Sequence, residues 1–280
     1  MYPAGVRGVS ARMVALQNGL RVRVVEAGPL TGQPVMLIHG WGACAYTFRY
    51  ALSALAGDGK RVLSFDMRGH GLSDKPVGRL LYTTPTLLDD LRQLLDDCGL
   101  AQTDLVGHSL GGAIALRFAV AHPTLVRRLV LAAPVGLTSV PLRRIARLLA
   151  PRFTERFARY LPPRWLTGFL LRGAYGDPRR VSEETIDQYW APSQFPGYYR
   201  AVRTLLAKFA WDPVLPNELE SLQSRTLVIL GGSDRLIRDA ESAARRIPLS
   251  TVLSIEGAGH LGVEECPTEF NQAIARFLNE

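Results

Sequence analysis

The sequence predicts an α/β fold in which a mostly parallel sheet is flanked by helices and interrupted by a helical insertion. Short apolar runs rich in Val, Leu and Ile alternate with segments of helical periodicity, as in sheets built from strand–helix–strand units. The alternation stops at Pro134 and resumes near Ser224. With 280 residues, of which 47% are hydrophobic, the chain can bury one large core and still carry an insertion.

Seven segments have the composition of buried strands and are bounded by Gly, Pro or polar residues. In chain order they are Arg21–Glu26, Val35–His39, Arg61–Asp66, Thr103–His108, Arg128–Ala132, Arg225–Leu230 and Thr251–Glu256. Helical periodicity marks the segments Tyr46–Ala56, Thr86–Cys98, Leu110–Ala121, Asp239–Ile247 and Thr268–Leu278. Right-handed crossovers between such strands predict helices on both faces of the sheet.

The insertion is expected to be a helical cap. Residues 135–215 contain no strand candidate and many prolines, and apolar residues recur at three- and four-residue spacing from Leu142 to Leu161. We therefore predict a core formed by residues 1–134 and 216–280, with the cap inserted between them.

The net charge of +8 is concentrated in the insertion. Residues 134–215 hold thirteen Arg or Lys against six Asp or Glu, so the rest of the chain is close to neutral. This distribution argues against a nucleic-acid partner. The basic, amphipathic stretch Leu142–Leu161 fits either a lid over a pocket or contact with an anionic membrane surface. The lid is favoured, because an apolar stripe beside a site more often packs over it.

Compartment and cofactor chemistry are bounded by what the sequence lacks. Its three cysteines are widely spaced without a C-x-x-C pair, which predicts neither a disulfide framework nor a thiolate zinc site. Residues 1–20 contain no signal-like apolar run, and no stretch approaches eighteen apolar residues. A cytoplasmic protein without a metal site is expected.

The candidate nucleophile is Ser109, in the run Gly107-His108-Ser109-Leu110-Gly111. The run joins a predicted strand to a predicted helix, which is the context of a nucleophile elbow. A serine on such a turn has a strained backbone, and glycines are needed where a side chain would collide with the neighbouring elements. Ser109 is therefore expected to present its hydroxyl at the end of the sheet.

A serine nucleophile needs a base, and the base needs an acid to orient it. His260 follows the last predicted strand through the loop Gly257–Gly259, and Asp234 follows the preceding strand. The order Ser109, Asp234, His260 is the one expected for this elbow. Glu256 and Asp239 are rival acids nearby in sequence.

An oxyanion needs two N–H donors in a dry site. Leu110 is expected to supply one from the start of its helix, where the dipole also favours negative charge. Trp41, in the run His39-Gly40-Trp41-Gly42 after a strand, is expected to supply the other. In the turn after the next strand, Asp66 and Arg68 are expected to brace the loops rather than react.

These motifs together resemble the α/β-hydrolase superfamily, from about residue 14 onwards. The resemblance implies an eight-stranded, mostly parallel sheet and the hydrolysis of esters or related bonds without metal or organic cofactor. Because the elbow holds a serine, the resemblance is to esterases rather than to the aspartate-nucleophile branches, haloalkane dehalogenases and soluble epoxide hydrolases. Serine-dependent C–C hydrolases of aromatic degradation usually have Trp after the histidine, where this chain has Leu261.

The expected function is that of a carboxylesterase acting on a small-molecule ester with a small to medium acyl group. A C–C hydrolase, a lactonase, a perhydrolase or an acyltransferase would use the same triad and remains open, as does the oligomeric state. The expected substrate pocket is lined by His39, His108, Phe157, Trp165 and Leu261.

Overall fold

A computed structural model describes residues 1–139 and 163–280. Eight strands form one sheet in the order β1-β2-β4-β3-β5-β6-β7-β8. Their bounds are β1 Val9–Ala15, β2 Arg21–Ala27, β3 Pro34–Ile38, β4 Arg61–Phe65, β5 Thr103–His108, β6 Val126–Ala132, β7 Arg225–Gly231 and β8 Ser250–Ile255. The strands β3 to β8 pair in parallel, whereas β2 pairs antiparallel with β1 and β4. The predicted mostly parallel sheet is confirmed.

The described helices lie mainly between strands. They are α1 Arg49–Gly57, α2 Thr84–Asp97, α3 Leu110–Ala121, α4 Arg164–Ala174, α5 Glu183–Trp190, α6 Tyr198–Lys208, α7 Pro216–Glu220, α8 Ala240–Ala244, α9 Gly262–Glu265 and α10 Pro267–Asn279. Short 3₁₀ turns occupy Ala45–Phe48, Arg79–Tyr82, Pro123–Leu125, Pro178–Arg180 and Ala191–Gln194.

Two apolar clusters cover the two faces of the sheet. One joins Val24 of β2 to Leu91 of α2 and Leu116 of α3. The other joins Leu52 of α1 to Ile274 of α10. The central strand β5 is buried along its whole length, because helices cover it on both sides. This burial gives the elbow that follows β5 a rigid support.

The structure has one strand that was not predicted and one helix that is shorter than predicted. Strand β1 was not predicted, because it is an edge strand whose side chains are mostly exposed and which therefore lacks an apolar run. The helix predicted over Asp239–Ile247 is only Ala240–Ala244. Asp239 has a left-handed φ of 56°, and Arg246 and Ile247 donate to carbonyls three residues back, which ends the α-helical pattern.

The described part of the insertion packs on the core. Helix α5 starts at a Ser182 cap, whose hydroxyl oxygen accepts a hydrogen bond from the Thr185 amide at 3.1 Å. Tyr175 and Tyr189 are buried in the same apolar cluster as α1 and α10. The predicted amphipathic stretch Leu142–Leu161, which includes Phe157, lies outside the described residues.

Among the described residues, no helix combines the length and apolar character that a membrane crossing requires.

Candidate active site

Ser109 lies on a strained turn between β5 and α3. Its φ of 54° and ψ of −116° are values that a residue with a side chain rarely adopts. The turn is crowded by backbone: a Cβ on Gly107 would stand 2.4 Å from the Gly111 carbonyl oxygen. A Cβ on Gly111 would stand 2.0 Å from the carbonyl oxygen of Ile38. The glycines are therefore a steric requirement of the elbow.

Three side chains form a hydrogen-bonded chain at the carboxyl end of the sheet. The Ser109 hydroxyl lies 2.8 Å from Nε2 of His260, and Nδ1 of His260 lies 2.9 Å from Oδ2 of Asp234. The carboxylate accepts from Nδ1–H, which leaves Nε2 free to accept the hydroxyl proton. The rival acids Glu256 and Asp239 are exposed to solvent, and Asp234 is the carboxylate that contacts His260.

Asp234 is held in its ionised form. Burial acts to raise its pKa, but the hydrogen bond and charge of His260 and two backbone amides outweigh it, so the pKa lies below its ordinary value. The amides are those of Leu236 at 2.7 Å and Ile237 at 3.1 Å, both on Oδ1. One oxygen thus binds the loop while the other faces the imidazole.

The backbone around His260 is tied from three sides. Its N–H donates to the Ala174 carbonyl at 2.8 Å, and its carbonyl accepts from Nε2 of His108 at 2.7 Å. The preceding amide, of Gly259, donates to Glu265 Oε2 at 2.7 Å. The imidazole therefore stands on a loop that is joined to the elbow, the insertion and α9.

Glu265 was missed by the sequence analysis. Its buried carboxylate also accepts from the amides of Gly176 at 3.0 Å and Asp177 at 2.6 Å, so one side chain binds the histidine loop and the end of α4 together. The available signal was an acidic residue five positions after His260 in an apolar stretch. Such a residue would need buried partners.

Glu264 makes a second junction that the sequence analysis missed. It accepts from Arg49 at 2.6 Å and from the hydroxyl of Tyr175 at 3.2 Å, and the Tyr189 hydroxyl also donates to it. Burial raises the pKa of Glu264, although the adjacent Arg49 charge opposes the shift. Helices α1, α5 and α9 meet at this carboxylate.

The His39–Gly42 loop lies against the elbow. A Cβ on Gly40 would stand 3.2 Å from Cβ of Ser109. The Trp41 indole donates to the Val202 carbonyl at 2.9 Å, and the Tyr198 hydroxyl donates to the Gly42 carbonyl at 3.0 Å. Helix α6 of the insertion therefore supports this loop from behind.

The backbone amides of Trp41 and Leu110 are the predicted oxyanion donors. Leu110 is the first residue of α3, where a backbone N–H has no partner within the helix. Within residues 1–139 and 163–280, neither amide donates to a protein acceptor. Both amides thus lack a protein acceptor in the described part of the chain, as the predicted role requires.

The predicted pocket residues differ in their surroundings. His39 is buried, accepts from the Met67 amide at 3.0 Å through Nε2, and donates from Nδ1 to the Gly40 carbonyl at 2.7 Å. Burial lowers its pKa, so it is a neutral support of the loop. His108 and Leu261 are buried next to Ser109 and His260 in sequence. Trp165 is 71% exposed on the first turn of α4, and its pocket role stays a sequence-based prediction.

Asp66 and Arg68 brace the surrounding loops. Asp66 accepts from the amides of Ala45 and Leu72, both at 2.8 Å. Arg68 binds Asp90 through two nitrogens, at 2.7 and 2.6 Å. Among the described residues, no three His, Cys, Asp or Glu side chains converge as a metal site would require.

The fold and the elbow define a class: an α/β protein with a serine presented at the carboxyl end of a mostly parallel sheet. Residues 35–273 match the model of the Alpha/beta hydrolase family, and the chain belongs to that family.

The chain is similar to proteins of several activities. It is 29% identical over 265 residues to the dihydrolipoyllysine-residue acetyltransferase component of the acetoin cleaving system of Pseudomonas putida. The matched region covers 94% of this chain and 68% of that protein. It is 28% identical over 311 residues to epoxide hydrolase A of Mycobacterium tuberculosis, covering 93% and 95%.

A meta-cleavage product hydrolase from Pseudomonas fluorescens superposes with a TM-score of 0.82 at 23% identity, covering 96% and 97% of the two chains. At this identity the likeness concerns the fold alone. Membership of the family therefore indicates hydrolytic chemistry without selecting the bond that is cleaved.

Proposed function

We propose that this chain is a serine hydrolase that cleaves carboxylic esters through an acyl-enzyme on Ser109. The observation that carries the proposal is the chain of hydrogen bonds from the Ser109 hydroxyl through His260 to Asp234, at 2.8 and 2.9 Å. In this arrangement a histidine base can reach the nucleophile while a carboxylate holds its tautomer.

The reaction begins when Ser109 Oγ attacks the ester carbonyl and its proton moves to Nε2 of His260. The amides of Trp41 and Leu110 stabilise the oxyanion that forms on the carbonyl oxygen. Collapse of this intermediate breaks the bond to the alcohol oxygen, which takes the proton from His260. Water then attacks the acyl-enzyme with His260 again as base, and releases the carboxylic acid and the serine.

Ser109 argues against epoxide hydrolysis, because the epoxide hydrolase branch of the resemblance uses an aspartate at the elbow. The activities that share a serine triad are C–C hydrolysis, lactone hydrolysis, perhydrolysis and acyl transfer. Leu261, at the position where C–C hydrolases of this type usually have Trp, favours the ester over the C–C bond.

The proposed substrate is a small molecule whose acyl group lies near His39, His108 and Leu261, under the insertion. Phe157 keeps its proposed pocket role as a sequence-based prediction. The three described cysteines are unpaired, which supports a reducing, cytoplasmic location.

The proposal is tested with a chain-length series of p-nitrophenyl esters and a vinylogous 1,5-diketone. We expect ester turnover with the wild type, and a fall in kcat on the order of 10⁴ or more for Ser109→Ala, because the nucleophile is lost while binding remains. Acyl transfer to Ser109 is checked by intact mass after a rapid quench. Near wild-type ester turnover by Ser109→Ala would contradict the proposal, and preference for the diketone would replace ester by C–C hydrolysis.

A further inference from the structure

A cleft lies between helix α6 and the segment Pro76–Tyr82. It has a volume of about 510 Å³. It is lined by Pro76, Val77, Gly78, Arg79, Tyr82, Arg200, Arg203, Thr204 and Ala207. The described part of the lining holds three guanidinium groups and no carboxylate. None of these residues belongs to the Ser109, His260 and Asp234 chain or to the His39–Gly42 loop.

The helical side of the cleft is one face of α6. Arg200, Arg203, Thr204 and Ala207 recur at three- and four-residue spacing, so they share a face. Tyr198 and Val202, which support the His39–Gly42 loop, are on the buried side of the helix. Helix α6 thus separates the cleft from the His39–Gly42 loop.

Two arginines of this cleft, Arg79 and Arg200, are exposed. Several arginines elsewhere in the chain bind carboxylates, as Arg68 binds Asp90 and Arg61 binds Glu26 at 2.7 Å. Among the described residues, no carboxylate lies within ion-pair distance of Arg79 or Arg200. The two guanidinium groups therefore face the cleft with their charge uncompensated.

A neighbouring cavity of about 400 Å³ shows the contrast. Its lining includes Arg68, Lys75 and Asp74, so both signs of charge are present. Arg68 is bound to Asp90, and Lys75 donates to the carbonyls of Gly71 at 2.9 Å and Ser73 at 2.8 Å. The protein satisfies its cations, whereas Arg79 and Arg200 have no carboxylate partner among the described residues.

The walls of the cleft also carry apolar surface. Pro76, Val77 and Ala207 contribute it, and Val77 is 71% exposed. The volume is within the range of small-molecule sites and exceeds what an inorganic anion needs. Guanidinium groups bind carboxylate and phosphate through paired N–H donors.

We infer that this cleft binds a small organic anion whose carboxylate or phosphate contacts Arg79 and Arg200 and whose apolar part rests on Pro76, Val77 and Ala207. The site is separate from Ser109, so it stands or falls independently of the proposed ester hydrolysis.

Calorimetric titration of the full chain tests this site with four probes: hexanoate, hexyl phosphate, hexanol and inorganic phosphate. We expect both organic anions to bind, inorganic phosphate to bind more weakly, and hexanol not to bind measurably. The two organic anions distinguish the carboxylate from the phosphate source. The Arg79→Gln/Arg200→Gln double variant should bind the better anion at least tenfold more weakly, because charge-assisted hydrogen bonds are lost.

Arg276→Gln is the matched control, since Arg276 is an exposed helical arginine with no carboxylate at ion-pair distance in the described part of the chain. It should bind like the wild type. If the double variant does not melt as the wild type does, Arg200→Lys replaces it, and the loss of the guanidinium fork should weaken binding severalfold.

Three results would overturn the inference. Unchanged binding by a folded double variant would place the anion elsewhere, such as beside Ser109. Equal binding of hexanol and hexyl phosphate would show that only the apolar surface is used. Absence of binding at millimolar concentrations of both organic anions would show that the cleft takes no such ligand.

Discussion

Ser109 stands on a turn that is crowded by backbone, whereas His260 stands on a loop that is tied by hydrogen bonds. At the serine, the required feature is the absence of side chains at Gly107 and Gly111. At the histidine, it is the presence of Glu265 and His108 as partners. A steric constraint tolerates almost no change, while a polar one can be weakened in steps. We call the Ser109 turn the steric end of the site and the His260 loop its polar end. The two ends should therefore respond differently to substitution.

The largest expected effect concerns the hydrogen bond between Asp234 and His260. Asp234→Asn should lower kcat on the order of 10³- to 10⁴-fold, because an amide can stabilise the wrong tautomer of His260 and carries no charge. Steady-state kinetics on the shortest active ester measures the loss. Asp239→Asn, at an exposed rival acid, should retain wild-type kcat, and a similar loss there would contradict the assignment of Asp234.

The steric end is tested by adding one methyl group. Gly111→Ala should lower the free energy of unfolding by about 3 kcal/mol, because the new Cβ would collide with the Ile38 carbonyl oxygen and the backbone must shift. Urea denaturation measures the change. Gly57→Ala is the control, since a Cβ there meets nothing within 4 Å. Equal stability of the two variants would show that the elbow is not sterically constrained.

The polar end is tested at Glu265. Glu265→Gln should reduce kcat about 30-fold with little change in KM, because a displaced His260 loop misaligns the base without removing substrate contacts. The NH₂ group of the new amide would face backbone N–H groups that now donate to the carboxylate, so it could not accept their hydrogen bonds. Exposed Glu269→Gln should behave as the wild type. A change in KM alone would show that Glu265 does not position His260.

A further effect, which depends on pH, is expected from His108, which precedes Ser109 and donates to the His260 carbonyl. Burial lowers its pKa to about 3, so the fold favours its neutral form. Its contribution to stability is fully present above the unfolded value near 6.5 and is lost as the pH falls towards 3. The free energy of unfolding should decline by up to about 1.4 kcal/mol per pH unit from this group.

Urea denaturation between pH 7 and pH 4 checks the dependence on His108. The variant His108→Gln keeps an N–H donor for the His260 carbonyl but cannot titrate, so its decline should be shallower. Identical pH dependence in both proteins would mean that His108 is not the source.

The difference between the two ends also explains what the sequence could predict. Gly107 and Gly111 lie within two residues of Ser109, so the elbow is visible as a local pattern, and β5 and α3 have their predicted bounds. Asp234 and His260 could be selected because both follow predicted strands. Glu265 could not, since its partners at Gly176 and Asp177 are 89 and 88 residues away and carry no side-chain signature.

Other differences have related causes. Strand β1 lacks an apolar pattern because it lies at the sheet edge. The elements against which α4 packs decide which residues of the insertion face outwards. Sequence periodicity does not reveal those elements.

The hydrogen bond between Ser109 and His260 joins residues 151 positions apart, and the bond between His108 and the His260 carbonyl spans 152. Contacts between residues so far apart in sequence form only when the strands that carry them have assembled into the sheet. Hydrolytic turnover should therefore report on cooperative folding, and should be lost in the same narrow denaturant range as the sheet itself.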